Sequence, residues 1–283
     1  IIYFDRNQSL RYIPNTTSVS NISFGAAQTD PFNFSYTPVL GEACLTFSPF
    51  VDLDNDGDYD FMFYAYAYNG GTYAGNFMYY ENKGTPTAPN FNILAKDPFS
   101  LTVPANSAIY NIDFVDLDGD GDFDMLAEVF YPLSYNYSTV YYQNTGTATA
   151  PSFAAPVANP FSSLPIDKGH FQFIDIDRDG DQDFFYSDQV TDKIVYYQNT
   201  GTPTSATFAA TQNDPFNLSV HSNYRRFSFG DMDNDGKRDF VEVTANKVYL
   251  RRNITVYSST DKIQNKNLDI NIYPTPSHDL VNV

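Results

Sequence analysis

Tryptophan is absent from this 283-residue chain, and cysteine occurs once, at Cys44. A single cysteine excludes an intrachain disulfide and gives no reading of the redox compartment. The three histidines, His170, His221 and His278, have a spacing that builds neither a metal-ligand set nor a catalytic triad, so each reads as a surface or strand residue. Basic residues are scarce: 16 Lys and Arg stand against 34 Asp and Glu, a net charge of −18. That balance argues against nucleic acid or an anionic membrane as partner. No run of 18 apolar residues exists, so no helical segment is expected to span a membrane. The opening residues, Ile1-Ile2-Tyr3-Phe4-Asp5, carry neither a signal-peptide pattern nor an initiator Met. The sequence is therefore expected to begin inside a longer chain or after processing. Runs rich in Ala, Leu, Glu and Lys are also missing, whereas Tyr (23) and Phe (25) are abundant. This is the composition of strands.

The acids that are present are concentrated. Asp116 to Asp124 reads DLDGDGDFD, with carboxylates at every second position and Gly121 at the sixth. So many carboxylates in nine residues repel one another unless a cation sits among them. Oxygen ligands at positions 1, 3, 5 and 9, a backbone carbonyl at position 7 and a glycine at the sharp turn describe a calcium loop. An EF-hand would place its last ligand at position 12 and flank the loop with helices. Here the last acid is at position 9 and the flanks are strand-like, so the loop reads as the tip of a β-hairpin. The competing reading is a solvated acidic turn.

The loop occurs four times. The other copies are DLDNDGDYD at 52–60, DIDRDGDQD at 175–183 and DMDNDGKRD at 231–239, and each copy has Phe two residues before its first Asp (Phe50, Phe114, Phe173, Phe229). Side-chain ligands would be Asp52, Asp54, Asp56 and Asp60; Asp116, Asp118, Asp120 and Asp124; Asp175, Asp177, Asp179 and Asp183; and Asp231, Asp233, Asp235 and Asp239. Asp58, Asp122, Asp181 and Lys237 would contribute backbone carbonyls, which makes the lysine tolerable. Nineteen of the 34 acids lie in these loops, and four bound calcium ions would move the charge from −18 to −10. Much of the acidity is then local metal chemistry and does not require a basic partner.

The first aspartates of the loops, at 52, 116, 175 and 231, repeat at steps of 64, 59 and 56 residues. Two further markers share this period. Tyr79-Tyr80-Glu81-Asn82, Tyr141-Tyr142-Gln143-Asn144 and Tyr196-Tyr197-Gln198-Asn199 are each followed by x-Gly-Thr, a strand entering a turn. Asp30-Pro31-Phe32, Asp97-Pro98-Phe99, Asn159-Pro160-Phe161 and Asp214-Pro215-Phe216 are connectors. In the second copy the strands are expected at about 107–115, 124–130, 138–144 and 152–155. Four antiparallel strands in 55 to 65 residues are one blade of a β-propeller, an all-β fold in which stacked sheets bury one another's faces. The expected organisation is a partial blade over 1–29, blades at about 38–95, 103–158, 166–212 and 222–255, a polar linker over 256–267, and a different module starting at 268–283.

These loops, with their preceding Phe and blade-sized period, resemble the FG-GAP/VCBS repeat family, which includes the propeller of integrin α subunits. The resemblance covers residue 1 to about 255 and implies a propeller with about four structural calcium ions at the hairpins. The family usually closes with seven or eight blades, more than the five units seen here. The tail Ile270-x-Ile272-Tyr273-Pro274-x-Pro276-x-x-Asp279-x-Val281 resembles the start of a type IX secretion C-terminal sorting domain, with Thr275 where the pattern has Asn. That implies recognition by the type IX machinery and a secreted or cell-surface location in a Gram-negative bacterium.

Three functions stay open: a non-catalytic binding or adhesion module with a protein or glycan ligand, the propeller part of a polysaccharide-degrading enzyme, and a subunit of a surface filament or other homo-oligomer. Tyr68 and Tyr73 flank one hairpin turn, and Tyr131, Tyr135 and Tyr137 occupy the equivalent hairpin of the next repeat. Exposed, such rings stack on sugars or anchor a partner. Alternatively, the period-2 series Tyr64, Tyr66 and Tyr68 packs between blades.

Overall fold

The computed structural model describes residues 2–4, 10–17, 23–32, 42–47, 50–69, 72–85, 88–161, 164, 169–188, 191, 193–202, 204–209, 212–213, 215–218, 226–243, 248–254 and 270–272. Among them every regular element is a strand, apart from two single 3₁₀ turns at Pro98–Ser100 and Pro215–Asn217. Five antiparallel sheets follow the sequence period. Strands β1 (Ile2–Phe4), β2 (Leu10–Tyr12) and β3 (Gln28–Thr29) make a three-stranded sheet. Strands β4 (Glu42–Phe47), β5 (Phe61–Asn69), β6 (Thr72–Asn82) and β7 (Phe91–Lys96) make the next, and β8 (Ala108–Val115), β9 (Asp124–Tyr131), β10 (Asn136–Tyr142) and β11 (Val157–Ala158) the third. The last two are β12 (Phe171–Ile174), β13 (Asp183–Asp188), β14 (Lys193–Tyr197) and β15 (Gln212–Asn213), then β16 (Arg226–Gly230), β17 (Asp239–Val243), β18 (Val248–Asn253) and β19 (Ile270–Ile272). Each four-stranded sheet is a simple meander, with an acidic loop joining its first and second strands.

Burial follows from composition. Aromatic and β-branched residues on both faces of a meander cover one sheet only if a second packs against it. Met62, Tyr64, Phe77, Ile109, Ile112, Ala127, Val129 and Tyr142 form part of one core, and Ile174, Phe185, Ile194, Tyr196, Phe227, Phe229 and Phe240 part of another. The chain divides into two compact units, one of Ile1–Pro31, Ile174–Asn199 and Ala209–Val283, the other of Phe32–Phe173 and Thr200–Phe208. Each of these cores lies inside one unit. At the first and fourth loops the preceding Phe packs on its own hairpin: Phe50 stacks on Phe61 at 5.0 Å, and Phe229 lies 5.4 Å from Phe240.

The expected fourth strand at 152–155 is displaced. Asn144 and Phe153 form only an isolated bridge, and Val157–Ala158 pairs with β10 instead. The cause is the Asn-x-Gly-Thr marker, which folds into a turn longer than a hairpin tip. Asn144 Oδ1 accepts from Gly146 N at 3.0 Å and Ser152 N at 2.9 Å, so the chain is held in an excursion before it can extend. Gly146 is required there because a Cβ would lie 2.3 Å from the Ala150 carbonyl oxygen. Gly84 and Gly201 repeat this close approach, at 2.2 Å from the carbonyl oxygens of Ala88 and Ser205.

The connectors do more than link sheets. In Asp97-Pro98-Phe99, Asp97 and Phe99 both take positive φ (45° and 56°), and the Phe99 ring meets Tyr79 edge-on at 4.8 Å. Phe216 repeats this at φ 55°, against Tyr196 at 5.4 Å. At the C-terminal end, Ile270–Ile272 falls in the segment expected to open a separate module. It pairs with Arg251–Asn253 as the fourth strand of the last sheet.

Candidate metal centres and an aromatic surface

Each acidic loop folds around its own backbone. The first aspartate turns back and accepts N–H groups from the turn: Asp52 from Asp56 and Gly57 (3.1 and 3.0 Å), Asp116 from Gly119 and Gly121 (2.6 and 3.0 Å), and Asp231 from Asp235 and Gly236 (3.1 and 2.9 Å). Asp175 accepts from Gly180 at 3.2 Å. The fifth-position acid accepts from the residue two further on, as in Asp56 with Asp58 N at 3.1 Å and Asp235 with Lys237 N at 2.9 Å. Two left-handed residues make this path: position 4 (Asn55, Gly119, Arg178, Asn234) and the glycine at position 6, whose φ runs from 82° to 97° across the four loops.

The result brings carboxylate oxygens together. Asp52, Asp54 and Asp56 each offer an oxygen within 4.8 Å of the others, as do Asp116, Asp118 and Asp120, and Asp175, Asp177 and Asp179. In the fourth loop the convergent set is Asp231, Asp233 and Asp239. The position-7 acids are drawn in as well. Asp58, Asp122 and Asp181 are only 7%, 7% and 6% exposed. Burial, then the charges of the neighbouring aspartates, holds their carboxyls above the usual range, Asp181 at about 7.

Buried carboxylate oxygens normally find donors. Here Asp54 Oδ1, Asp58 Oδ1, Asp122 Oδ1, Asp175 Oδ1, Asp177 Oδ1, Asp181 Oδ1 and, in the fourth loop, Asp233 Oδ2 are buried without a hydrogen-bond donor. A hard divalent cation is the group that answers such oxygens, so the convergent carboxylates of the loops fit calcium; the first and third loops, with two and three donor-less oxygens, fit it best.

Position 9 has another occupation. Asp60 accepts from Leu53 N at 3.2 Å, Tyr79 Oη at 2.6 Å and Asn82 N at 2.8 Å. Asp124 repeats the set with Leu117 N, Tyr141 Oη and Asn144 N (3.3, 2.8 and 2.8 Å), and Asp183 meets Tyr196 Oη and Asn199 N (3.1 and 2.7 Å). Asp239 keeps the two backbone donors, Met232 N and Asn253 N, at 2.9 and 2.8 Å. Burial raises these carboxyls, to about 6 for Asp60 and Asp124 and about 8 for Asp183.

The Tyr-Tyr-x-Asn marker is thus the second layer of the acidic loop. Its first tyrosine and its asparagine N–H grip position 9. In the second and third repeats the x residue reaches position 3, as Gln143 Nε2 to Asp118 Oδ2 and Gln198 Nε2 to Asp177 Oδ2, both at 2.9 Å. Sequence reading took the marker only as strand and turn. Its recurrence after each of the first three loops, 19, 17 and 13 residues past the last acid, was the available signal.

The candidate tyrosines separate. Tyr68 stands opposite Tyr73 in register, and its side chain lies outside the described residues. Tyr73 is half-buried, 5.3 Å from buried Tyr66 and 5.9 Å from Phe130. Tyr137 is half-buried on Phe130 at 4.8 Å, and Tyr131 packs against the same core. Tyr135 is 78% exposed at φ 54°, beside Leu133 at 79%. Of the histidines, His170 pairs its Nδ1 with Asn111 Oδ1 at 2.9 Å, and His221 and His278 lie outside the described residues.

Repeated four-stranded meanders with an aspartate-rich loop after the first strand are a recognisable class of β repeat. A family model described as an FG-GAP-like repeat matches residues 175–242, from the first aspartate of the third loop into β17. No curated protein matches the chain.

Proposed function

We propose that the sheets are blades of a calcium-stabilised β-propeller that serves as a non-catalytic binding or adhesion module, secreted or displayed at the surface of a Gram-negative cell. The observation that carries the calcium reading is the set of buried, donor-less carboxylate oxygens converging in the loops at 52–60, 116–124 and 175–183. FG-GAP-like repeats are frequent in extracellular adhesion modules, and extracellular calcium levels suit loops of this kind. No described helix is long and apolar enough to cross a membrane. The proline-bearing tail supports export through the type IX machinery. Tyr135 and Leu133 are the apolar side chains most open to a protein or glycan ligand on the hairpin between β9 and β10.

A glycan array and a surface-attachment assay, each with calcium and with chelator, test the function. Calcium-dependent retention supports a binding module. Turnover of a polysaccharide would move the chain to the enzyme reading, and concentration-dependent polymerisation to the filament reading.

A further inference from the structure

The fourth loop differs from the second and third in the residue before the marker asparagine. Beside the second and third loops this residue is Gln143 or Gln198, a neutral donor to the position-3 carboxylate. Beside the fourth loop it is Arg252, whose guanidinium forms an ion pair with the corresponding Asp233 carboxylate, itself only 1% exposed. The same loop replaces the position-7 acid with Lys237, whose Nζ reaches Asp235 Oδ2 at 3.1 Å. A third cation is close: a Cβ placed on Gly236 would sit 3.6 Å from Arg178 Nη2. In loops one to three the position-7 acid is buried with an oxygen lacking a donor, whereas the fourth loop has no such acid.

We propose that the fourth loop is neutralised from within the chain and holds its shape without a metal ion, and that Arg252, standing where the second and third loops have glutamine, removes this loop's dependence on a divalent cation. This rests on the calcium reading of the other loops. The physical basis is charge substitution. A buried carboxylate needs a counter-charge, and the Arg252 guanidinium supplies one to Asp233 where a glutamine amide supplies only a neutral donor. A guanidinium already seated on position 3 also repels an incoming divalent ion and removes that oxygen from the ligand set. The sequence expectation of four equivalent ions then becomes three strong sites and one self-contained turn.

The test uses the full chain, calcium titration calorimetry, and hydrogen exchange read by mass spectrometry in excess chelator. The wild type should take up about three ions with comparable affinity. Arg252→Gln should add a site or strengthen the fourth by about tenfold or more, and Gln143→Arg should weaken the second loop by a similar factor. In chelator, the turn amides of Gly236 and Lys237 should stay protected in the wild type and lose protection in Arg252→Gln. The matching amides of Gly121 and Asp122 should exchange fast in the wild type and slow in Gln143→Arg. Four wild-type sites of equal affinity, or exchange at the fourth turn that ignores Arg252→Gln, would overturn the proposal. If one variant does not fold, the other decides it. If no ion binds anywhere, the calcium reading fails, and the exchange comparison still decides the role of Arg252.

Discussion

Tyr79 donates its hydroxyl to Asp60 across the buried end of the second sheet, at 2.6 Å. The bond joins the third strand of the meander to the last residue of the acidic loop, so loop shape and sheet register are fixed together. Tyr79→Phe should keep the ring packing against Phe99 and lose only this bond. The cost expected for a buried carboxylate deprived of one donor is about 1–3 kcal/mol. Denaturant unfolding measures it, and calcium affinity at the first loop should fall alongside. A neutral result in both would mean that the loop and the strand are uncoupled.

Glycines in the repeat serve two different ends, and alanine substitution separates them. Gly121 has φ 93°, and a methyl group there would meet nothing within 4 Å, so Gly121→Ala should cost only backbone strain, roughly 1–2 kcal/mol. Gly146→Ala would drive a methyl into the Ala150 carbonyl and Ser152 N, at 2.3 and 2.8 Å, and the turn itself should give way. Thermal melts of the two variants should therefore rank Gly146→Ala as clearly the worse.

Asp113 gives the protein a pH signature separate from the loops. Its buried carboxyl accepts from Phe114 N at 3.0 Å and Phe173 N at 2.5 Å, and burial raises it to about 7. A carboxyl raised in the folded state binds its proton more tightly there than in the unfolded chain, so its contribution is present below about pH 4 and is lost as pH rises to about 7. The slope expected in that window is about 1.4 kcal/mol per pH unit at most. Asp113→Asn should flatten the stability profile between pH 4 and 7 when measured with saturating calcium. An unchanged slope would assign the effect to other groups.

The hairpin tyrosines should part company on mutation. Tyr135→Ala should leave the melting temperature unchanged, because the ring is 78% exposed, and should weaken any ligand or cell attachment that uses this hairpin. Tyr73→Ala should instead destabilise, since its ring is wedged against Tyr66 and Phe130. Equal melting temperatures for the two variants would contradict this packing.

Much of the site was legible because charge repulsion constrains sequence strongly. Aspartates at every second position with glycine at the sixth leave few alternatives to a turn around a cation, and the structure places Asp52, Asp54 and Asp56 together as that spacing requires. The role of Tyr79 and Gln143 was hidden, because which side chain faces position 9 or position 3 depends on strand register. The shift of the fourth strand from 152–155 to Val157–Ala158 was hidden for a related reason. It follows from Asn144 bonding to Ser152, eight residues on, which no local propensity encodes. Tyr73 and Tyr135 looked alike in sequence, but Tyr73 packs against both Tyr66 and Phe130, whereas Tyr135 meets Phe130 edge-on at 6.3 Å and stays 78% exposed.

Calorimetric melting of the full chain with calcium and with excess chelator tests most directly whether the loop acids are structural cation sites. At about tenfold excess over Kd, each occupied loop adds about 1.4 kcal/mol, so three loops add about 4 kcal/mol, a large part of a net stability of about 5–15 kcal/mol. Chelation should lower the melting temperature by roughly 10 °C and calcium should restore it. Asp120→Ala should remove the second loop's share of that difference. A melting transition that is the same with calcium and with chelator would contradict the account.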